Sequence, residues 1–270
     1  MRWVPAPADL RAWTDGGVVV QAPATLAASC FPALVGSMLV LRLAGQVLHA
    51  GREPGPALVP AAALIGPSTR PARFDHVGAV HAVGLLIRPE ALPGLLRVPV
   101  AGLVDGHAAL VDVAGPAWAS TVQAVQAAAD DATRLALLFQ QLRQAVAGPL
   151  QAQRRAQRQR LASAIQGPLA PACRTLGLSR RQLERQCLAA FGMAPKQFQT
   201  VARLQRALHG AAQAGTPGAD LALQAGYYDQ SHLARDLRRL AGRPLGRLVA
   251  QARRVGSEHW PLAVGWQLSG

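Results

Sequence analysis

Lysine is nearly missing from this 270-residue chain: Lys196 stands alone against 27 arginines. With abundant Ala, Gly and Pro, this reads as the codon bias of a GC-rich bacterial genome, so arginine by itself carries no functional message. Cysteine is scarce too. Cys30, Cys173 and Cys187 are an odd set without disulfide or metal spacing, which excludes a disulfide scaffold and suits a reducing cytoplasm. No apolar run is long enough to span a bilayer. The most apolar one, Phe31 to Leu41, contains Pro32 and Gly36 and ends at Arg42. The start, Met1-Arg2-Trp3-Val4-Pro5, lacks the continuous apolar core of a signal peptide. A cytoplasmic location without a membrane partner is the expectation. Also missing are a Gly-x-Ser-x-Gly elbow, a phosphate loop and a dinucleotide fingerprint, so no familiar reaction announces itself.

Half of the residues are hydrophobic, which excludes wholesale disorder. The length allows two domains, each with its own core. Residues 1 to about 112 are rich in Val, Leu, Ala, Pro and Gly and are broken often by turn signals. Strands are predicted at Val18–Gln21, Leu34–Leu43, Leu58–Ile65 and Ala79–Ile87, in an antiparallel sandwich or small barrel. The histidines His49, His76, His81 and His107 are spread out with no His-x-His pair. His76 and His81, five apart, are the two to share a pocket if any do, and isolated core histidines are the commoner case. Glu90, Asp105 and Asp112 are a weak carboxylate set, since Asp105-Gly106 reads as a turn and Asp112 as a local cap.

From Pro116 the period changes to helical. Leu135, Leu138, Phe139, Leu142 and Val146 line one helix face, with Asp130 and Asp131 at its start. A preceding helix, roughly Pro116–Ala128, makes it a pair, and Gly148-Pro149 marks a domain boundary. Here the charge changes as well. Residues 1–150 carry a net charge of +1 and residues 151–270 a net of +13. Codon bias raises arginine everywhere and does not sort it into one half, so the second half points to a polyanion, either nucleic acid or anionic lipid.

The second half is a duplicated pattern. Gly167-Pro168 opens a short helix with Leu169, Ala172 and Leu176 inward, which Gly177 ends. Ser179-x-x-Gln182 then starts a helix that buries Leu183, Cys187, Ala190 and Phe191. A long helix from Pro195 to Gln213 follows, with Phe198, Val201, Leu204, Leu208 and Ala211 inward, stopped by residues 214–218. Leu221, Ala222 and Ala225 form a second short helix. Asp229 caps a second outer helix with Leu233, Leu237 and Leu240 inward. Gly177 and Gly226 are 49 apart, and the pairs Leu183/Leu233 and Gly192/Gly242 are each 50 apart. Two helix-turn-helix units therefore share a connecting rod of about 18 residues, about 27 Å long. Adjacent major grooves on one DNA face lie about 34 Å apart. A lipid surface makes no use of such spacing, so double-stranded DNA is the expected partner.

Gly226-Tyr-Tyr-Asp-Gln-Ser-His-Leu-Ala-Arg-Asp-Leu-Arg-Arg-Leu-Ala-Gly242 resembles the C-terminal signature of AraC/XylS-type transcription regulators. Gly177-Leu-Ser-Arg-Arg-Gln-Leu-Glu-Arg through Phe191-Gly192 and Pro195 is similar to the first motif of the same domain. The match covers about residues 151–253. It departs in having Leu233, Leu237 and Leu240 where the family often has Phe, and in Pro168 and Pro171, which put the first short helix in doubt. Leu58-Val59-Pro60-Ala61 and Gly84-Leu-Leu-Ile-Arg-Pro89 resemble the divergent cupin-like sensing domain of one subgroup.

The resemblance implies a multidomain α+β chain. Residues 1–148 would be a mainly-β cupin-like barrel or sandwich with a helical pair, for sensing or dimerisation. Residues 149–256 would be an all-α DNA-binding domain of two helix-turn-helix units joined by a long helix, and 257–270 a C-terminal tail. By motif position Arg181, Glu184 and Arg185 face bases in the first groove, and Gln230, Ser231 and Arg235 in the second. Arg180, His232 and Arg239 join the interface at bases or phosphates, while Ser179 and Asp229 are caps and Tyr227 is a plug in the turn. A homodimer and an RNA polymerase contact are further partners in this reading. It needs no cofactor or metal, and its small-molecule effector has no assignable residues. Cys173 and Cys187 belong to one unit, as core residues or, less simply, a redox pair. The rivals are a cupin-like metalloenzyme carrying a DNA-binding domain, a DNA-repair methyltransferase adaptor, and a nonspecific nucleoid protein.

Overall fold

The computed structural model describes residues 1–51, 55–214 and 219–252. The predicted tail at 257–270 and the stop at 215–218 lie outside these residues. Two long strands organise the first half: β4 (Ser37–His49) and β7 (Ala72–Ile87), which pair antiparallel from Ser37 opposite Ile87 to His49 opposite Phe74. The earlier strands are β1 (Arg2–Pro5), β2 (Thr14–Ala22) and β3 (Ala28–Phe31). Both β2 and β3 pair with β7, and β1 pairs with β2. On the other side β4 takes β5 (Ala57–Leu58) and β6 (Ala62–Ile65), and β6 takes β8 (His107–Ala109). The result is one eight-stranded sheet in which every pairing is antiparallel.

All four predicted strands are present, with altered limits. Leu34 instead forms an isolated bridge with Ser68, so its strand begins at Ser37 and runs on to His49. The stretch Leu58–Ile65 is interrupted because Pro60 has no amide proton to give the ladder. β7 starts at Ala72, before the apolar run, because the polar residues Arg73 and Asp75 alternate with buried Phe74. Register shifts at Arg42/Ala44 and Ala44/Gln46 bend the central pair.

Period two sorts the side chains onto two buried faces. Leu39, Leu41, Val83, Leu85 and Ile87 form one core with Leu135, Leu138, Phe139 and Leu142 of the helical pair, while Val18, Phe31, Met38, Phe74 and Leu86 form another on the opposite face. Because both faces are covered, the strands read as continuous apolar runs rather than alternating ones. The helices on the first face are α1 (Leu110–Ala114), α2 (Ala119–Ala127) and α3 (Asp131–Ala145). Asp130 caps α3 by accepting from Thr133 N at 2.9 Å. Asp131 also ties α3 to β7, because its carboxylate lies 2.9 Å from His81 Nε2 and 2.8 Å from Arg134.

After Gly148 come α4 (Pro149–Ala164), α5 (Leu169–Leu176), α6 (Arg180–Phe191), α7 (Pro195–Ala214), α8 (Ala219–Gln224), α9 (Gln230–Ala241) and α10 (Leu245–Ala252). One apolar cluster runs through all of them, from Leu161 and Ile165 to Leu248 and Val249. The proline pair does not disrupt α5. Pro168 is its N-cap residue rather than its first helical one, and Pro171 falls in the first turn, where no intrahelical donor is lost.

The two halves are joined through several contacts. Ala33 and Val35, from the segment between β3 and β4, are buried within the helical cluster. Ala33 N donates to Leu240 O at 2.7 Å, and Val35 N donates to Gln205 Oε1 at 3.2 Å. The arginines of α4, expected as a solvated or phosphate-facing run, divide. Arg158 Nε donates to Glu90 O at 2.6 Å and Arg155 lies over the Trp13 ring at 5.6 Å, while Arg154 and Arg160 remain exposed.

Candidate nucleic-acid interface

The first unit is built by α5, a tight turn and α6. Gly177 adopts a left-handed conformation, and the next amide, Leu178 N, returns to Cys173 O at 2.9 Å. Ser179 and Gln182 then exchange reciprocal bonds, Gln182 N donating to Ser179 Oγ at 3.3 Å and Ser179 N to Gln182 Oε1 at 2.8 Å. Leu183, Cys187, Ala190 and Phe191 are buried, which turns Arg181 and Arg185 outward on the same helix face one turn apart. Arg180 and Glu184 pair with each other at 3.3 Å, so part of their charge is already used on the helix surface. Burial, with the Glu184 charge adding to it, pushes the Cys187 thiol up to about 12. Cys187 and Cys173 are free cysteines packed in one core, and a protonated thiol is a poor redox nucleophile.

The second unit repeats the plan with α8 and α9. Gly226 has φ 84°, and Asp229 accepts from His232 N at 2.7 Å to cap α9. Leu233, Leu237, Leu240 and Ala241 are buried, and Gln230, Ser231, Arg235, Arg238 and Arg239 are exposed. Arg235 Nε donates to Ser231 O of its own helix, 3.4 Å away. On α9 three arginines, Arg235, Arg238 and Arg239, are thus exposed.

Asp236 breaks the pattern that the sequence predicts for the second unit. It is only 7% exposed, although it lies on a helix otherwise sorted cleanly into leucine and polar faces. It accepts from Arg203 of α7 at 3.3 Å and from Arg239 at 3.0 Å. Arg203 also donates to His232 Nε2 at 3.3 Å and stacks over the Tyr227 ring at 4.4 Å, while Tyr227 and His232 meet edge to face at 5.1 Å. His232 is half-buried and directed at α7, and Tyr227 fills the turn as expected. Burial, reinforced by Asp236, pushes the Tyr227 hydroxyl up to about 12. The signal that could have revealed this network is a periodic one: Asp236 lies three residues after Leu233 and four before Leu240, at inward spacing.

Both outer helices end against the first half. A Cβ on Gly192, which has φ 67°, would come within 2.5 Å of Val104 Cγ2 and 3.2 Å of the Ala101 backbone, so this close approach requires glycine twice over. Gly242, φ 71°, ends α9 beside Pro71, next to the bond from Ala33 to Leu240.

The first half brings together a different histidine pair from the one expected. His76 bonds Ser29 Oγ and Leu26 O, both at 3.0 Å, whereas His81 bonds Asp131. The neighbours are His49 and His107, with Nδ1 atoms 3.2 Å apart across the sheet. Asp105 forms a turn with φ 57° and accepts from Thr69 N and Thr69 Oγ1 at 2.7 and 2.6 Å. Among the described residues no group of three or more His, Cys, Asp or Glu could hold a metal ion, so the ligand set a cupin-like metalloenzyme needs is not assembled there. No helix among them is long and apolar enough to cross a membrane.

Residues 172–251 match a family model described as a helix-turn-helix domain. No curated protein matches the sequence. Among solved structures the chain is similar to ToxT of Vibrio cholerae. Against the 1.65 Å structure the TM-score is 0.52 at 10% identity, over 87% of this chain and 97% of that one. Against wild-type ToxT bound to an unsaturated fatty acid it is 0.52 at 11%, over 86% and 94%. Against ToxT bound to (E)-4-(8-methylnaphthalen-1-yl)but-3-enoic acid it is 0.50 at 10%, over 87% and 97%. At these identities the likeness concerns the fold, and it extends over both halves. Motif, family match and tandem geometry agree that the chain carries an AraC/XylS-type helix-turn-helix domain in its C-terminal part, the domain of a DNA-binding transcription regulator.

Proposed function

We propose that the protein is a sequence-specific regulator that reads two successive major grooves with α6 and α9, under the control of a small effector held by the first half. The observation that carries this reading is the pairing of two outer helices on one shared core, each with exposed arginines on its outer face. The 20-residue α7 between them is about 30 Å long, close to one helical turn of DNA. In this reading Arg181 and Arg185 contact bases in one groove, and Gln230, Ser231 and Arg235 in the other, Arg toward guanine and Gln toward adenine. Arg180, Glu184, His232 and Arg239 act at the margins, through phosphates or by holding their neighbours. Gly148 divides the reading part from the controlling part, and the protein works in the cytoplasm. Effector control draws support from the ligand-bound ToxT structures and from the loops of the first half that abut both outer helices.

Selection from a random duplex library is the decisive experiment. The expected product is a bipartite site with half-sites about 10 base pairs apart. Log K should also fall steeply with log salt for the full chain on its selected site. Binding of all duplexes alike, with no enriched sequence, would mean a nonspecific nucleoid protein instead.

A further inference from the structure

The turns of the two units differ by one residue. After the glycine that ends each short helix, the next amide returns to that helix: Leu178 N donates to Cys173 O at 2.9 Å, and Tyr227 N to Ala222 O at 2.8 Å. Leu178 and Tyr227 therefore hold equivalent places, and both side chains pack on the shared core. In the first unit the cap residue, Ser179, comes next. In the second, Tyr228 stands between the plug and the cap residue, Asp229. The extra residue has no place in the core and is 88% exposed.

A tyrosine left in water adds little to the stability of the fold, because its ring buries almost no surface. Its position is informative instead. Tyr228 directly precedes the cap of α9, whose first two residues, Gln230 and Ser231, are exposed. A reading helix turns its N-terminal residues to the base edges. The residue before its cap therefore lies where the chain passes over the sugar-phosphate ridge that bounds the groove. Tyrosine is among the side chains that bond phosphate oxygens, and its hydroxyl is an uncharged donor. The neighbouring carboxylate does not oppose this. Asp229 is committed to His232 N at 2.7 Å, and the positive end of the helix offsets its charge.

We propose that Tyr228 is a DNA contact peculiar to the second unit, its hydroxyl donating to a backbone phosphate at the edge of the groove that α9 enters. This deepens the reading of two grooves, and it rests on that reading. The contact fixes the register and depth of α9 without carrying base identity, since every nucleotide presents the same phosphate. The first unit has no counterpart, because Ser179 follows Leu178 at once. The second reading helix is then held from both sides, by the Asp236 clamp to the protein and by Tyr228 to the duplex.

The test is competition binding by the full chain on its selected duplex over a range of salt, with Tyr228→Phe and Tyr228→Ala beside the parent. Both variants should melt with the parent, because the side chain lies outside the core. Tyr228→Phe removes one uncharged hydrogen bond and should weaken binding about fivefold. The loss should be the same on selected and singly substituted duplexes. The slope of log K against log salt should not alter, because an uncharged donor releases no counterion. Methylphosphonate placed at each phosphate in turn locates the contact. One position flanking the second half-site should weaken the parent and leave Tyr228→Phe no weaker than it already is. Parental affinity in both variants would overturn the proposal and give the side chain to a protein partner. Loss in Tyr228→Ala alone would make the contact apolar, and a changed base preference would make it a reader; either overturns the phosphate bond. A parent that enriches no sequence would sink the two-groove reading and this contact with it, whereas a selective parent with unaltered variants would sink the contact alone.

Discussion

The two helix-turn-helix units share a plan and differ in what holds their outer helices. In the first, what holds α6 to the core among the described residues is apolar packing: Leu183, Cys187, Ala190 and Phe191 are buried, and the ion pair of Arg180 with Glu184 lies on the surface. In the second, α9 has a leucine face and also a polar clamp, in which Asp236 receives Arg203 from the connecting helix and Arg239 from its own. The first unit meets the controlling half by van der Waals contact at Gly192, and the second by a backbone hydrogen bond from Ala33 to Leu240. Apolar contacts are undirected, whereas hydrogen bonds and ion pairs specify an orientation. The second helix is thus the one whose angle is set in detail, and the one that a shift in the segment 33–35 would re-aim.

The largest effects should come from what the units have in common. Leu183→Ala and Leu237→Ala each remove a fully buried side chain from the same cluster and should cost about 2–5 kcal/mol. Because that cluster is continuous, both variants should lower one denaturant transition of the helical part. Two separable transitions would split the units apart and break the comparison at its base.

The polar clamp should give a smaller and one-sided effect. Asp236→Ala leaves Arg203 facing the Tyr227 ring without its carboxylate, at a cost of about 2–3 kcal/mol. Hydrogen exchange should accelerate in α9 and stay unchanged in α6. Glu184→Ala, the matching deletion in the first unit, removes an exposed i,i+4 pair and should cost less than about 0.5 kcal/mol. Equal losses in the two variants would remove the distinction between the units.

This contrast also marks how far the sequence alone can reach. The duplicated spacing, the caps at Ser179 and Asp229 and the buried leucines follow from local rules of period and hydrogen bonding, and all are present. Asp236 escapes those rules because an acidic residue among arginines reads as surface charge. Its partner Arg203 lies 33 residues away, and no local rule brings them together. His76 and His81 look like neighbours because they are close in the chain, yet they bond Ser29 and Asp131 in different parts of the sheet. His49 and His107 meet only because β4, β6 and β8 are adjacent. The buried Ser37 hydroxyl, which has no hydrogen-bond partner among the described residues, is invisible for the same reason: satisfaction depends on tertiary neighbours.

Reading should separate the units by sequence position rather than by strength. Arg185→Ala and Arg235→Ala should each lose about 1–3 kcal/mol of discrimination, the first in one half-site and the second in the other. Competition at fixed salt between the selected duplex and singly substituted ones measures this directly. Equal weakening on selected and random duplexes would make either residue a phosphate contact.

The smallest effect concerns the caps, and it tests whether the two helix starts are structural. Ser179→Ala and Asp229→Ala each leave one orphan amide at the start of an outer helix and should cost about 1 kcal/mol. Gln182 still bonds Ser179 N in the first variant, so α6 keeps half of its reciprocal pair, whereas α9 loses its one side-chain cap. Asp229→Asn keeps an acceptor at the cap and should recover most of the loss, short of the carboxylate's share in the helix dipole. Thermal melts would rank the three. Base preference should be unaltered in all of them, because each cap oxygen is committed to a backbone amide of its own helix. A changed preference in Asp229→Asn would make that carboxylate a reader of DNA, and the second unit would then differ from the first in its reading edge as well as in its support.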